Sequence, residues 1–180
     1  MRLQGSAIHL RPLTARDVSD AYVGWMNDPE TNQYMETRWS AHTSADVTAF
    51  VEAKAASSTE HLFGIFLSKE ELHIGNLKVG PVNARHMVAD ISYFIGDPAA
   101  RGRGLASEAV ALGVRFGFDY LGLEKLCAGV YAANLASARV LERNGFVREG
   151  VRQEQVVFEG SRMDAFEYGL LRRDWLTAIS

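Results

Sequence analysis

The order of hydrophobic and polar positions predicts short strands and helices along the first part of the chain. Alternation over residues 8–13 predicts a first strand, which is limited by its proline. Thr14, with Asp17 three residues later, is typical of a helix N-cap, and an apolar stripe then extends to Trp25. Residues 27–29, Asn-Asp-Pro, should end that helix, because the residue before proline avoids helical dihedral angles.

The middle of the chain predicts one further helix and three adjacent strands. Apolar spacing indicates a helix at about residues 44–56. Short apolar runs at 61–68 and 72–79 flank a charged turn and predict an antiparallel hairpin, and a third run at 87–95 follows a glycine-proline turn. The irregular stretch before the helix mixes aromatic and polar residues, so a substrate wall and a packed loop are both open alternatives.

A strand, a glycine-rich loop and a helix follow one another within residues 89–120. The loop is Arg101-Gly102-Arg103-Gly104, and apolar residues recur every three or four positions from Ala106 to Tyr120. Glycines leave backbone N–H groups uncovered, and the helix N-terminus adds unpaired N–H groups and a positive dipole end. This arrangement predicts a phosphate site, and the alternative is a tight turn with two solvent-facing arginines.

The last third of the chain predicts a parallel strand, a capped helix and a hairpin. Residues 125–131 are apolar on both alternating sets, which is typical of a strand covered on two faces and paired in parallel through a right-handed crossover. Asn134 and Gly145 stand where the two caps of the next helix should lie. Residues 153–159 and 163–171 predict a final hairpin.

Length and composition limit the classes of function. The 180 residues are 47% hydrophobic, so we expect one domain spanning residues 1–180. A net charge of −3 gives no overall attraction to nucleic acid or anionic membranes, and we expect neither as a partner. Without an apolar run long enough to cross a bilayer, and with the single cysteine Cys127 read as a buried side chain, we expect a cytoplasmic protein. The five histidines lack metal-ligand spacing, so we expect no metal.

Several short motifs together resemble the GNAT superfamily of acyl-CoA-dependent N-acetyltransferases. These are Arg101-x-x-Gly104-x-Ala106, Asn134-x-x-Ser137, Asn144-Gly145-Phe146, and, as in the branch with ribosomal-protein N-terminal and amino-sugar acetyltransferases, Arg11-Pro12-Leu13, Ile74-Gly75-Asn76 and Asp174-Trp175. The resemblance implies an α/β (α+β) fold with a mixed, largely antiparallel twisted sheet. Helices should cover both faces, and a splayed pair of parallel strands should bind the acyl-CoA.

The resemblance also implies which residues contact acetyl-CoA. The loop and the first helical turn should hold its pyrophosphate through backbone N–H groups, the end of the preceding strand should run beside the pantetheine, and two later residues should line its other side. The implied cofactor-binding residues are Phe94, Ile95, Arg101, Gly102, Arg103, Gly104, Leu105, Ala106, Ser107, Asn134 and Ser137.

The catalytic residues are less well defined by the resemblance. Many members carry a tyrosine acid seven residues after the asparagine, where this chain has Leu141, and Ser137 is proposed instead to hydrogen-bond the departing sulfur. Asp90 is the proposed base, since burial in an apolar strand would make a carboxylate more basic. An exposed or ion-paired Asp90, and catalysis by backbone groups and water, are the alternatives. Glu36 is a second candidate that would bind a substrate cation.

The expected function is acetyl transfer to a primary amine, either of an amino sugar or nucleotide-linked amino sugar, or of a protein N-terminus. Aromatic and polar groups suit sugar recognition, and the expected substrate-binding residues are Trp25, Tyr34, Glu36 and Arg38. A non-catalytic acyl-CoA sensor or interaction domain is the alternative from another class, and a nucleotide-binding module is a third. The oligomeric state stays open, with a homodimer as one alternative.

Overall fold

A single eight-stranded sheet forms the centre of the structure, a computed structural model that describes residues 1–179. Its strands run in the spatial order β1-β2-β3-β4-β5-β6-β8-β7, and neighbours within the described chain are antiparallel except β5 and β6. The strands are β1 Leu3–Gln4, β2 Ile8–Pro12, β3 His61–Leu67, β4 His73–Val79, β5 Val88–Ile95, β6 Lys125–Tyr131, β7 Val147–Phe158 and β8 Ser161–Leu171. The mixed, largely antiparallel sheet with one parallel pair is confirmed.

Helices cover both faces of this sheet, as predicted. They are α1 Asp20–Asn27, α2 Pro29–Asn32, α3 Ser44–Ala56, α4 Leu105–Arg115, α5 Leu135–Arg143 and α6 Arg172–Ile179, with 3₁₀ turns at Ala15–Asp17, Glu36–Trp39 and Pro98–Ala100 and a π-helical turn at Phe116–Tyr120. Across residues 1–179, every helix falls short of the length and apolar character that a bilayer crossing requires.

Alternation along β3 shows how the two faces separate. Phe63 and Ile65 point into the larger core, which α4 and α5 cover, whereas Leu62 and Phe66 point into a smaller core with α1 and α3. Because β3 is buried on both faces, its sequence is a continuous apolar run and not an alternating one.

The first helix begins later than the sequence predicts. Thr14 and Asp17 form their capping box on the 3₁₀ turn Ala15–Asp17, and α1 starts at Asp20 with Ser19 as its N-cap, whose hydroxyl accepts the Tyr22 N–H at 3.2 Å. Asp17 also receives two hydrogen bonds from Arg11, at 3.0 and 2.6 Å, and these hold the turn against β2. The predicted N-cap is therefore real, but it caps a separate turn.

The parallel strands β5 and β6 pair only at their beginnings. The paired positions are Val88 with Lys125, Ala89 with Leu126 and Asp90 with Cys127. Later residues of each strand have no partner on the other among the described pairs, so the two strands separate toward their carboxyl ends. This gap lies directly before the glycine-rich loop and α4.

The prediction that β6 is covered on both faces is wrong. Leu126, Ala128 and Val130 are buried on the side of α4 and α5, but Gly129 is exposed and Cys127 only half-buried. Residues of β5 in register with this second side share it, because directly opposed residues of paired strands point to the same face. We call the sheet surface that carries Asp90, Phe94, Cys127 and Tyr131 the open face.

Candidate active site

The glycine-rich loop presents open backbone amides at the start of α4. Gly102 and Gly104 have φ of 71° and 79°, in the left-handed region that favours glycine, and an added Cβ at either would meet no described atom within 4 Å. Gly104 is the N-cap without a capping side chain, and the first helical bond is Glu108 N–H to the Gly104 carbonyl at 3.2 Å. The N–H groups of the first turn therefore have no intrahelical partner, which is the arrangement by which helix N-termini bind anions.

Arg101 makes contacts within the protein through both its backbone N–H and its guanidinium. Its backbone N–H donates to the Pro98 carbonyl at 3.2 Å, so this amide is already bonded within the 3₁₀ turn. Its guanidinium donates to Glu30 at 3.0 Å, to the Thr31 hydroxyl at 2.6 Å and to the Ile95 carbonyl at 3.3 Å. Arg101 thus ties α2 to the end of β5, whereas Arg103 is exposed beside the loop.

Asp90 lies at the last paired position before β5 and β6 separate. Its side chain is exposed on the open face, so the expectation of a buried carboxylate is wrong. The reason is the strand alternation: Ala89 and Ile91 face the buried side, which puts Asp90 outside it. Burial therefore gives no support to Asp90 as a base, and the proposal that it acts as one rests on its position alone.

Tyr131, at the end of β6, joins two of the predicted substrate residues. Its hydroxyl donates to Glu36 Oε1 and accepts from Arg38 Nη1 at 2.8 Å, and Arg38 Nη2 donates to the Val157 carbonyl at 2.9 Å. Burial and then the Glu36 carboxylate raise the pKa of Tyr131, so the phenol stays protonated as a donor. Glu36 itself is exposed, and its Oε2 makes no hydrogen bond with the described residues.

Aromatic rings pack against Tyr131 and, separately, around Trp25. Tyr34 stacks on Phe158 at a centroid distance of 5.2 Å and meets Tyr131 edge-on at 6.0 Å. Trp25 packs against the smaller core, with its ring 6.4 Å from that of Phe94 and so close to Gly96 that an added Cβ there would come within 2.1 Å of it. Trp25 is therefore packed at the end of β5, Gly96 is required for this close contact, and the substrate role of Trp25 stays a prediction.

Asn134 and Ser137 lie on the opposite side of the splay, at the start of α5. Asn134 is the predicted N-cap and accepts the Ser137 N–H at 3.2 Å. The Ser137 hydroxyl lies 2.9 Å from the hydroxyl of Tyr93, and Tyr93 also donates to the Ser137 carbonyl at 3.1 Å. Burial raises the pKa of Tyr93 to about 12. Leu141, by contrast, is 0% exposed in the core beneath α5.

Ser107, an implied cofactor residue, and Asn144, from the Asn144-Gly145-Phe146 motif, form a link between α4 and α5. The Asn144 side chain donates to the Ser107 hydroxyl at 3.1 Å and to the Val140 carbonyl at 2.8 Å. Gly145, with φ of 85°, ends α5 in the left-handed conformation, as predicted. The link fixes the first turn of α4, whose amides border the loop.

The matching family model agrees with this arrangement of loop, splayed strands and capped helix. It is described as an acetyltransferase (GNAT) domain and matches residues 7–147. The chain belongs to the GNAT acetyltransferase family. As a GNAT member it is an N-acetyltransferase, its acetyl donor is acetyl-CoA, and the sensor alternative is set aside.

Related proteins extend the match over nearly the whole chain. It is 31% identical to "Probable N-acetyltransferase YjcK" of Bacillus subtilis over 96% of this chain and 98% of that protein. A GNAT-family acetyltransferase from Bacillus anthracis superposes with a TM-score of 0.83 at 22% identity, covering 96% of this chain and 99% of that one. A spermidine N-acetyltransferase from Vibrio cholerae, in complex with CoA and spermine, gives 0.86 at 21% identity, with coverage of 96% and 99%. These two structures support the GNAT fold.

The geometry of this GNAT site fits acetyl-CoA, and two of its tyrosines were missed in the sequence. The loop amides suit a pyrophosphate, because nothing in the described chain occupies the space above the glycines. Tyr93 and Tyr131 were missed because both stand inside apolar strand runs, where an aromatic residue ordinarily indicates core packing. Within residues 1–179, no three His, Cys, Asp or Glu side chains are grouped as metal ligands.

Replacing Arg101 by alanine should raise the KM for the amine acceptor about fivefold to tenfold, with a smaller change for acetyl-CoA. The physical reason is the loss of the contacts that hold α2, and with it the segment carrying Tyr34, Glu36 and Arg38. Steady-state kinetics with each substrate varied in turn would measure the change in KM for the amine and for acetyl-CoA separately. Arg103→Ala is the matched comparison and should mainly affect acetyl-CoA. An Arg101 variant that loses only acetyl-CoA affinity would contradict the assignment.

Proposed function

We propose that this N-acetyltransferase acetylates the primary amine of a small polar molecule, with an amino sugar as the leading acceptor and a protein N-terminus as the second. The observation that carries the proposal is the group formed by Tyr131, Glu36 and Arg38 beside the open end of the splayed strands. It combines a cation-binding carboxylate, a fixed hydroxyl and a guanidinium within an aromatic wall. Such a mixture suits a ligand with an amine and several hydroxyl groups.

Exposed aromatic surface near this group favours a sugar ring. Trp39 is 65% exposed, and the Arg38 guanidinium lies over its ring at 4.1 Å. Arg38 is itself held by the Met35 carbonyl at 2.9 Å and by Tyr131. A preformed flat surface of this kind costs little entropy when a rigid ring stacks on it.

The proposed donor side uses the other surface of the splay. Supporting this, the amides of Leu105, Ala106 and Ser107 lie at the helix start. On α5, Ser137 contacts Tyr93 in the unpaired part of β5, and Asn134 caps the same turn. In this proposal the acetyl-CoA pyrophosphate binds at the loop and its pantetheine runs beside Phe94 and Ile95. The acceptor then approaches from the open face, which keeps the two substrates on opposite sides of one gap.

Attack requires a neutral amine, a polarised carbonyl and a stabilised leaving sulfur. We assign removal of the amine proton to Asp90, directly or through one water, because it is the carboxylate of β5 on the open face. Ser137 is assigned the hydrogen bond to the departing sulfur. Both assignments rest on position at the two sides of the splay.

Changing Glu36 to glutamine should raise the KM for the amine about tenfold and leave that for acetyl-CoA nearly unchanged. The substitution removes the negative charge that attracts the acceptor ammonium, while the amide oxygen still accepts from Tyr131. Initial rates over a range of amine concentrations would show it. Glu52→Gln, an exposed carboxylate on α3, is the matched control for net charge. An equal loss in both variants would argue against a specific contact.

The experiment that tests the proposed function is an acceptor panel with acetyl-CoA, followed by release of free thiol. The panel contains free and nucleotide-linked amino sugars, peptides with free N-termini, and spermidine, the last because a structural neighbour is a spermidine N-acetyltransferase. We expect the highest kcat/KM with an amino sugar. Preference for peptides would replace the leading acceptor with the second, and preference for spermidine would contradict both.

A further inference from the structure

The hydroxyls of Tyr93 and Ser137 form a closed pair between β5 and α5. They are 2.9 Å apart, and the Tyr93 hydroxyl is also 3.1 Å from the carbonyl oxygen of Ser137. Tyr93 stands beyond Asp90, in the part of β5 that no longer pairs with β6. The pair therefore lies along the gap itself, on the side that α5 covers.

A phenol has one proton, so these contacts permit two arrangements. In the first, Tyr93 donates to the Ser137 carbonyl, and the Ser137 hydroxyl must donate to Tyr93. In the second, Tyr93 turns its proton to the Ser137 Oγ, and the Ser137 proton is free to point elsewhere. The change needs only rotation of two O–H bonds, without movement of a heavy atom.

We propose that Tyr93 is a positioning residue, which by donating to the Ser137 Oγ releases the Ser137 proton to hydrogen-bond the departing CoA sulfur. The inference rests on the proposed function. It also bears on the absent helix tyrosine: Leu141, one turn beyond Ser137, is buried, and the phenol at the start of α5 comes from β5 and contacts Ser137. Donation from Tyr93 to the Ser137 Oγ also polarises the Ser137 O–H bond, which makes that hydroxyl a stronger donor to sulfur.

The group transfer balances without net loss of a proton from either hydroxyl. The amine nitrogen forms a bond to the acetyl carbon, the carbon–sulfur bond breaks, and sulfur keeps the electron pair. The proton that the amine loses is the one that the thiolate finally gains, through solvent. During the break the Ser137 O–H stabilises the negative charge on sulfur, and Tyr93 remains protonated because burial raises its pKa.

The test that needs no acceptor measures the thiol titration of bound CoA by its ultraviolet thiolate absorbance. CoA is the probe, and the proteins are the unaltered chain, Tyr93→Phe, Ser137→Ala and Tyr168→Phe. We expect the unaltered chain to lower the titration midpoint of the thiol below that of free CoA. Tyr93→Phe should raise it by about one pH unit, the equivalent of tenfold in the ionisation equilibrium, and Ser137→Ala should raise it at least as far.

Tyr168→Phe is the matched control, since it also removes a buried phenol. The Tyr168 hydroxyl donates to Glu142 at 3.0 Å, and Tyr168 adds a smaller electrostatic contribution to the burial that raises the pKa of Tyr93. Its titration midpoint should match the unaltered chain. A shift as large as that of Tyr93→Phe would show a general effect of lost phenols and overturn the proposal.

Kinetics with the best acceptor provide the second arm. Tyr93→Phe should lower kcat about tenfold with little change in either KM, and the double variant with Ser137→Ala should be no slower than Ser137→Ala alone. Losses that multiply, or an unchanged thiol midpoint in Tyr93→Phe, would overturn the inference. If no amine is acetylated but the midpoint shifts as expected, the proposed function fails and the assignment of Tyr93 stands.

Discussion

Gly104→Val is expected to weaken acetyl-CoA binding about 100-fold. At φ of 79° a β-branched residue is strained by about 1–2 kcal/mol, and relief of that strain would rotate the amides of the first turn away from their common centre. The valine side chain would also stand in the open space where we place the pyrophosphate. Isothermal titration of acetyl-CoA would measure the change, in which 100-fold corresponds to about 2.7 kcal/mol.

A matched glycine separates this effect from lost stability. Gly122 has φ of 65° and equally open surroundings, but it lies in the turn after the π-helical segment, far along the chain from the loop. Gly122→Val should cost similar stability in thermal unfolding and leave acetyl-CoA affinity unchanged. If Gly104→Val keeps full affinity, the loop does not hold the pyrophosphate.

Asp90→Asn is expected to lower kcat about 100-fold and to flatten the dependence of kcat on pH, with acetyl-CoA affinity nearly unchanged. General base catalysis contributes about 10²–10⁴-fold, and an exposed carboxylate that acts through water belongs at the lower end. Rates measured across the pH range, with acetyl-CoA saturating, would show the change. An unaltered pH–rate profile would remove Asp90 as the base.

Other ionisable groups share the open face with Asp90 and need their own control. Cys127 lies opposite it in register, and burial raises the pKa of that thiol. Glu167 lies on the neighbouring strand β8, where it is paired with Arg152 at 2.9 Å. Glu167→Gln should therefore leave the pH–rate profile unchanged. A flattened pH–rate profile in this variant would show that Glu167, and not Asp90 alone, controls the pH dependence.

Local spacing was sufficient to predict the elements to which we assign acetyl-CoA binding. Apolar recurrence predicted α4 and its loop, but Tyr120 is 62% exposed, because the π-helical turn from Phe116 rotates the end of the helix away from the predicted face. The strand that contains Asp90 was also predicted correctly, but the side of the sheet to which the Asp90 side chain points was not. A single polar residue in an apolar strand does not indicate which face is buried, and only the packing of α4 against Ala89 and Ile91 decides it.

The sequence by itself determined β5, the glycine-rich loop that follows it, the caps of α5 and the motifs of the GNAT resemblance. Each of these depends on residues within a few positions of one another. The tertiary structure alone decided what meets across the gap. Glu36 and Tyr131 are hydrogen-bonded although 95 positions separate them in the sequence, and Tyr93 and Ser137 are hydrogen-bonded across 44 positions. Such contacts depend on strand register and helix placement. Burial of the whole core fixes both, so no local sequence pattern predicts them.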